Sequence, residues 1–296
     1  MPAMVSRREF LAGLTTAAGA VALRGRFTFA AETRAKACKA DDLVTLGRTG
    51  LRPTLLGIGT GTRSGSLQRG LGQEGFTRLV RHALDRGIRY VDTADSYQTH
   101  AMVGKALEGV PRDRYFIQSK SFSREPAKIL ADLDRFLKEL RVEYIDSLLM
   151  HCMTKGTWPA EMRPVIDVLR DAKQKGKIKA IGVSCHGWEP LAASPQAEGV
   201  DVQLARINPR GLVMDEKPER VVEVLRKMHQ AGRGIIGMKI FGESGLANRQ
   251  ERLASLKYVL GLGCVDCFTI GFGSIAQLDE TIDLVAEAGT LRAAAA

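Results

Sequence analysis

From residue 43 onward the chain keeps one beat, a short apolar run followed by a longer amphipathic stretch, repeated eight times. The runs are Thr54–Thr60, Arg89–Ala94, Tyr115–Lys120, Tyr144–His151, Lys179–Cys185, Val200–Asn208, Gly234–Phe241 and Cys267–Phe272. They are rich in Ile, Val and Leu and lack clean polar alternation, which marks strands buried on both faces, as in a parallel sheet. The stretches between them have helical spacing. Glu74–Arg86 puts Phe76, Leu79, Val80, Ala83 and Leu84 on one stripe, and Pro126–Leu140 does the same with Ile129, Leu133, Phe136, Leu137 and Leu140. Pro164–Lys175, Pro218–Ala231, Gln250–Leu260 and Ile275–Ala288 complete the pattern, with shorter pieces near 101–108 and 189–198. Arg86-Gly87, Lys175-Gly176 and Ala231-Gly232 supply the glycine expected where a helix stops before a strand. Eight such units fit one closed (β/α)₈ TIM barrel of class α/β, a single domain over residues 43–290. The competing architecture is a doubly wound open sheet, which usually opens a helix directly from a glycine-rich turn. Here Gly57-Ile58-Gly59-Thr60-Gly61 leads instead into a polar loop, so the barrel is favoured.

The first residues read differently. Ser6-Arg7-Arg8-Glu9-Phe10-Leu11 precedes an Ala- and Gly-rich apolar stretch to Leu23, then Arg24, Arg26 and small residues at Ala30-Ala31. This resembles a twin-arginine export signal over residues 1–31, which would place the mature protein in the periplasm, or in the cytoplasm if the motif is not used. No run of about 18 apolar residues is present, so stable membrane insertion of the mature protein is not expected. The formal net charge is +10, of which residues 1–30 hold a surplus of three basic groups. Without a basic helix or an aromatic-interleaved basic stretch, the remaining charge gives no reason to expect nucleic acid.

In a barrel, reactive groups sit at the carboxyl ends of strands and in the loops just beyond. Polar residues concentrate there: Asp92 and Tyr97 after the second run, Lys120 closing the third, His151 closing the fourth. Each follows directly on apolar residues, and a buried Asp, Lys or His needs a partner. Lys120 beside Asp92 forms an ion pair, and a nearby cation lowers the pKa of a phenol such as Tyr97. His151 is placed to orient a carbonyl by hydrogen bonding. Together these groups suit proton delivery to a carbonyl oxygen while a hydride reaches its carbon. Side chains supply no hydride, so a nicotinamide cofactor is implied.

At these residues the chain resembles the aldo-keto reductase family. The likeness runs from Leu46-Gly47-Arg48-Thr49-Gly50-Leu51 through Gly57-Ile58-Gly59-Thr60 to the last helix, and centres on Asp92-Thr93-Ala94-x-x-Tyr97 with Val103-Gly104-Lys105-Ala106-Leu107. The resemblance implies Tyr97 as general acid, Lys120 and Asp92 as its tuning pair, and His151 as substrate orienter. For the cofactor it implies Ser184 and Gln203 at the nicotinamide carboxamide, and Met238 where an aromatic usually stacks. Lys239 would reach the pyrophosphate, and Gly271, Gly273, Ser274, Gln277 and Glu280 would form the dinucleotide end. Two departures stand out: Cys185 replaces the Asn that normally follows Ser184, and Gly273 and Gln277 stand where many relatives carry Lys or Arg for a 2′-phosphate. The cofactor is therefore expected to be NADP or NAD without a legible preference. The chain also lacks the long segment after the last helix where many relatives place substrate contacts, which predicts an open site or a pocket completed by a partner subunit.

Phe122, Trp158, Trp188 and Phe241 follow strand ends and are candidates to line a pocket for a small-molecule carbonyl substrate. Cys264-x-x-Cys267, if extended, spans roughly 10 Å, beyond disulfide reach, and reads as two buried thiols. His151-Cys152 and Cys185-His186 alternate in direction along their strands, so no metal site is expected. The expected function is an NAD(P)-dependent oxidoreductase acting on aldehyde or ketone carbonyls, or on the corresponding alcohols. The alternative is a nicotinamide-binding redox sensor or regulatory module with little turnover, which the altered residues at 185 and 238 would suit.

Overall fold

Eight parallel strands close into a barrel in chain order, and the eighth pairs back onto the first. They are β1 (Leu56–Gly59), β2 (Tyr90–Asp92), β3 (Phe116–Ser121), β4 (Ile145–Met153), β5 (Ile178–Cys185), β6 (Val202–Arg206), β7 (Gly234–Met238) and β8 (Cys267–Ile270). The computed structural model describes residues 38–295, and the candidate export signal lies outside the described residues. Around the strands run α1 (Ser66–Gly70), α2 (Gly72–Asp85), α3 (His100–Ala106), α4 (Pro126–Leu140), α5 (Trp158–Glu161), α6 (Arg163–Gln174), α7 (Trp188–Ala193), α8 (Pro218–Gln230), α9 (Arg249–Gly261) and α10 (Ile275–Ala295). The (β/α)₈ barrel expected from the beat is the observed fold. None of the described helices is long and apolar enough to cross a membrane.

Strand parity divides the core in two. Tyr90, Phe116, Leu149, Ala180, Val202, Leu204, Ile236 and Cys267 fill the barrel interior. Their alternate neighbours face outward and meet the helix stripes, where Phe76, Leu79, Val80 and Ala83 of α2 and Ile129, Leu133, Phe136 and Leu140 of α4 are buried. Each of these side chains larger than alanine contributes about 1.5–3 kcal/mol on leaving water.

Three features of the frame were not legible in the apolar runs. Leu46-Gly47-Arg48-Thr49-Gly50-Leu51 is the tip of a small antiparallel hairpin, with Val44 N–H donating to Pro53 O at 3.0 Å and Leu46 N–H to Leu51 O at 3.1 Å. It pushes Leu46 into the barrel floor among the interior residues, and Gly47, at φ +50°, passes so close to Gly234 that a side chain would strike its backbone. The seventh strand stops at Met238 rather than Phe241, because Lys239 turns into the left-handed region at φ +57°. The fourth runs past His151 to Met153 through a bulge: Met150 pairs Val183 and Met153 pairs Cys185, so one extra residue is inserted on β4. Cys152 absorbs it at φ +62°, and its N–H is taken by Ser184 Oγ at 3.0 Å. Bulges of this kind recur beside active sites, where they end pairing and redirect the chain.

Candidate active site

The four residues singled out in the sequence meet at the carboxyl end of the barrel. Asp92 closes β2, Lys120 lies in β3, His151 in β4, and Tyr97 ends the short turn Asp95–Tyr97 beyond β2. Lys120, fully buried, donates from Nζ to Asp92 Oδ1 at 2.6 Å and to Thr93 O at 2.8 Å. The same ammonium sits 4.8 Å from the centroid of the Tyr97 ring. His151 meets that ring edge-on with centroids 5.8 Å apart.

Desolvation and charge compete in this cluster. Burial alone would depress the Lys120 pKa, but Asp92 and the Tyr97 phenol hold the ammonium above its ordinary value. For Tyr97, burial raises the phenol pKa and outweighs the lowering effect of Lys120. The cation therefore acts in the expected direction without winning: in this structure Tyr97 is a firmly protonated phenol. His151 is pushed down to about 2, by burial first and then by Lys120, His186 and Arg124, so its imidazole is neutral at any working pH. Its Nδ1 is buried without a hydrogen-bond partner among the described residues. Leaving an N–H there would cost more than leaving a lone pair, so the proton belongs on Nε2, the nitrogen that can meet a carbonyl.

A fifth member was missed in the sequence. Gln118, two residues before Lys120 and so on the same interior face, is fully buried. Its Nε2 donates to Asp92 Oδ1 at 2.7 Å and to the Tyr90 hydroxyl at 2.9 Å. It therefore gives the carboxylate a second donor and fixes which oxygen faces Lys120. The available signal was a polar residue of the right parity inside an apolar run. Just outside the barrel wall, Ser119 Oγ, His100 and Glu139 form a chain of contacts at 2.7 and 2.9 Å that resembles a nucleophile relay. Ser119 has no exposure, so this chain ties α3 and α4 to β3 and offers nothing to a substrate.

A cavity of about 380 Å³ opens from Asp92 and Tyr97 and runs between the loops after β1, β7 and β8 to Gln277 and Glu280. Of the cofactor residues expected from the sequence, Met238, Lys239, Gly271, Gln277 and Glu280 line it. Gly273 and Ser274 lie at the start of α10, with Gly273 N–H donating to Gln277 Oε1 at 2.8 Å and Ser274 Oγ accepting from Gln277 N–H at 3.3 Å. Ser184 is buried inside the barrel and is engaged with the Cys152 N–H.

Gln203 does not join them. Val202 and Leu204 face the interior, so Gln203 between them faces the helix layer, where its Nε2 lies 3.9 Å from Cys185 Sγ and donates to Leu204 O at 3.1 Å. The sequence-based placement was off by one strand position, which in a period of two reverses the side chain. Cys185 faces the same outer layer, against Ser194 at 3.3 Å. Trp158 is likewise no pocket residue: it is buried, with Nε1 donating to Pro190 O at 2.9 Å. Trp188 stacks under Arg220 instead, 4.2 Å from its guanidinium carbon. Phe241 does line the cavity, and Phe122 stacks on His151 with centroids 4.4 Å apart. Cys264 and Cys267 are free, buried thiols, as their spacing predicted.

The cavity fits a dinucleotide on three counts. Its volume lies in the range of small-molecule sites. Gly59, Gly61 and Gly271 line it without side chains, so bare backbone forms part of its wall. Thr269 Oγ1, in its wall, has no hydrogen-bond partner among the described residues. Its cations come already paired: Lys239 Nζ with Glu243 Oε1 at 2.9 Å, and Arg252 Nη2 with Glu280 Oε1 at 2.7 Å. Arg252, in α9 and far from the residues that carried the sequence reading, is the cation that was missed.

These features are those of the aldo/keto reductase family, whose model matches residues 55–286; the chain belongs to that family. It is 29% identical to the aldo-keto reductase YhdN of Bacillus subtilis over 167 residues, which cover 51% of this chain and 49% of that protein. The matched segment thus spans about half the length of that curated relative. Among solved structures it superposes on the holo form of aldo-keto reductase AKR11C1 from Bacillus halodurans with a TM-score of 0.68 at 19% identity, covering 85% and 96% of the two chains. An aldo-keto reductase of Klebsiella pneumoniae solved with NADPH gives a TM-score of 0.64 at 20% identity, covering 82% and 89%.

Proposed function

We propose that this chain is a nicotinamide-dependent oxidoreductase that reduces aldehyde or ketone carbonyls, or oxidises the corresponding alcohols, with Tyr97 as the proton donor. The observation that carries this reading is the buried Lys120–Asp92 pair set beneath a protonated Tyr97, at the point where the cavity reaches the barrel interior. Met238, Lys239, Gly271 and Gln277 would hold the cofactor along the cavity wall, and Glu280 with Arg252 its far end. Bound there, an NADPH or NADH nicotinamide supplies the hydride that no side chain can. Tyr97 gives its phenolic proton to the carbonyl oxygen. Lys120 then faces the phenolate that forms, so its charge stabilises the product of that transfer more than the starting phenol. Neutral His151 donates from Nε2 to the same oxygen and fixes its position. Gln118 holds Asp92 in place as the charge at Tyr97 changes.

Tyr97→Phe should lower kcat/KM for a generic aldehyde by ~10²–10⁴-fold, with nucleotide affinity retained in a fluorescence titration. Wild-type turnover in that variant would remove Tyr97 from the proton-transfer role. Nucleotide binding without turnover of any carbonyl by the wild type would favour the sensor alternative. The paired arginines at Arg7 and Arg8 support a further proposal, that the protein is exported to the periplasm. Cell fractionation that finds it only in the cytoplasm would overturn this.

A further inference from the structure

Two of the cations near the site, Arg206 and Lys239, are cancelled by carboxylates. Arg206 is paired with the fully buried side chain of Asp215, through Nε to Oδ2 at 3.3 Å and a second contact from Nη2 to Oδ1. Lys239 is paired with Glu243. Arg124 differs. Its guanidinium donates only to backbone carbonyls, those of Phe122 at 2.9 Å, His151 at 2.6 Å and Cys152 at 3.1 Å, and it makes no ion pair among the described residues. Three carbonyls fix the group in space without neutralising it, and two of its five N–H donors are left over.

Its location gives the charge a use. The carbonyls that hold it belong to the orienting histidine, to the residue after it, and to Phe122, whose ring stacks on the His151 imidazole at 27° between planes and is 47% exposed. Arg124 is thus locked to the backbone of the two residues that wall the carbonyl position, and its field is felt by the imidazole itself. Tying the β3–α4 loop to the end of β4 would need only a neutral donor. The guanidinium is exposed beside these residues and carries no counter-charge, so its full charge faces an incoming anion. The two N–H groups left over can each donate a charge-assisted hydrogen bond to a carboxylate oxygen.

We propose that Arg124 is the receptor for a substrate carboxylate, so that the preferred substrates are carbonyl compounds bearing a carboxylate a few atoms from the reacting carbon: semialdehydes and oxo acids. This rests on the reductase reading. In the reaction the carboxylate is untouched; the carbonyl carbon gains the hydride pair from the reduced nicotinamide and the oxygen gains one proton, giving a hydroxy acid.

The test compares acids with their methyl esters, succinic semialdehyde against methyl 4-oxobutanoate and 4-carboxybenzaldehyde against methyl 4-formylbenzoate, at 20 and 300 mM salt. The wild type should favour at least one acid by tenfold or more in kcat/KM, and the preference should shrink at the higher salt as the charge is screened. In Arg124→Gln the acid-to-ester ratio should fall at least tenfold, with Arg124→Lys in between. Because the readout is a ratio within one protein, partial loss of stability leaves it interpretable. If Arg124→Gln does not fold, the wild-type ratio and its salt dependence decide alone. Ester turnover without acid preference, or a ratio unmoved in Arg124→Gln, overturns the proposal and leaves the reductase reading standing. No turnover of any of the four compounds overturns the proposal, and the reductase reading falls with it only if a generic aldehyde is also left unreduced.

Discussion

The two halves of this site are built on opposite plans. The half proposed for acid–base chemistry, on β2, β3 and β4, is made from buried strand residues apart from Tyr97, which lies half-buried on the turn after β2. Gln118, Asp92 and Lys120 are bonded to one another inside the barrel, with almost no exposure. The half proposed for the nucleotide, between the loops after β1, β7 and β8, is an open groove whose charged groups are long, partly exposed and already paired with each other. In the first half a charge is held where it must act. In the second, a ligand competes with the protein's own carboxylates for each cation. Mutations in the first half should therefore cost folding and turnover together, and mutations in the second should change affinity alone.

The largest expected effect is at Lys120. Lys120→Met leaves Asp92 buried without its ammonium and should cost about 3–5 kcal/mol of stability, with turnover down by ~10² or more. Chemical denaturation and steady-state kinetics read the two. Adding Asp92→Asn should recover much of the stability and none of the turnover, since the second change removes the unpaired charge and restores no cation beside Tyr97. Full recovery of both would mean that the pair is structural and plays no part in the chemistry.

The difference between the halves also explains what could be read beforehand. Asp92, Lys120 and His151 were legible because each is a polar residue ending an apolar run, at positions where strand geometry leaves one choice of direction, and Tyr97 because it completes the Asp92-Thr93-Ala94-x-x-Tyr97 motif in the turn beyond β2. Gln118 obeys the same parity but sits within a run, where nothing in the sequence shows the partners it meets. Arg252 lies on a helix that joins the site only through a loop after β7, so nothing local announced it. Gln203 failed for a sharper reason: one strand position decides between barrel interior and helix layer. The bottom hairpin escaped because its polar turn carries a single buried anchor, Leu46.

Acidification should separate the halves next. His151 is held neutral by burial down to about 2, whereas an unfolded histidine takes up its proton near about 6.5. Below that value the unfolded chain binds the extra proton and the folded one does not, so stability falls as pH falls. Between pH 7 and 5 the loss from this residue is roughly 2 kcal/mol. Urea denaturation across that range should show it, and His151→Gln should flatten the slope. Burial lowers His100 and His186 as well, and both add to the same trend. Across this interval the phenol of Tyr97 stays protonated, so reduction measured where the protein remains folded should show no limb belonging to it. A kinetic limb between pH 6 and 8 would contradict the assigned charge states.

In the groove the effect should be on affinity and about tenfold. Glu280→Gln keeps the side chain's length and removes the charge that occupies Arg252 at 2.7 Å. The freed guanidinium can take a 2′-phosphate through charge-assisted hydrogen bonds. Binding of NADPH should improve relative to NADH by roughly tenfold, about 1.4 kcal/mol, with stability unchanged within the usual range for a surface pair. Calorimetric titration with 2′-AMP against 5′-AMP gives the same ratio without turnover. An unmoved ratio would mean that Arg252 does not reach the phosphate, and that the far end of the groove discriminates by something other than this pair.

The smallest expected effect is the most direct check on strand parity. Gln203→Leu replaces a polar side chain in the outer layer, where Oε1 has no partner among the described residues and Nε2 meets only a backbone carbonyl and a distant thiol. A buried acceptor left unsatisfied is a cost, so its removal offsets the loss of one hydrogen bond to Leu204 O. Nucleotide affinity should stay within about twofold, and stability within about 1 kcal/mol. A residue that held the nicotinamide carboxamide would behave otherwise, losing affinity by roughly tenfold or more with the bond. Such a loss would turn this side chain back toward the barrel interior and move the boundary between the two halves by one strand.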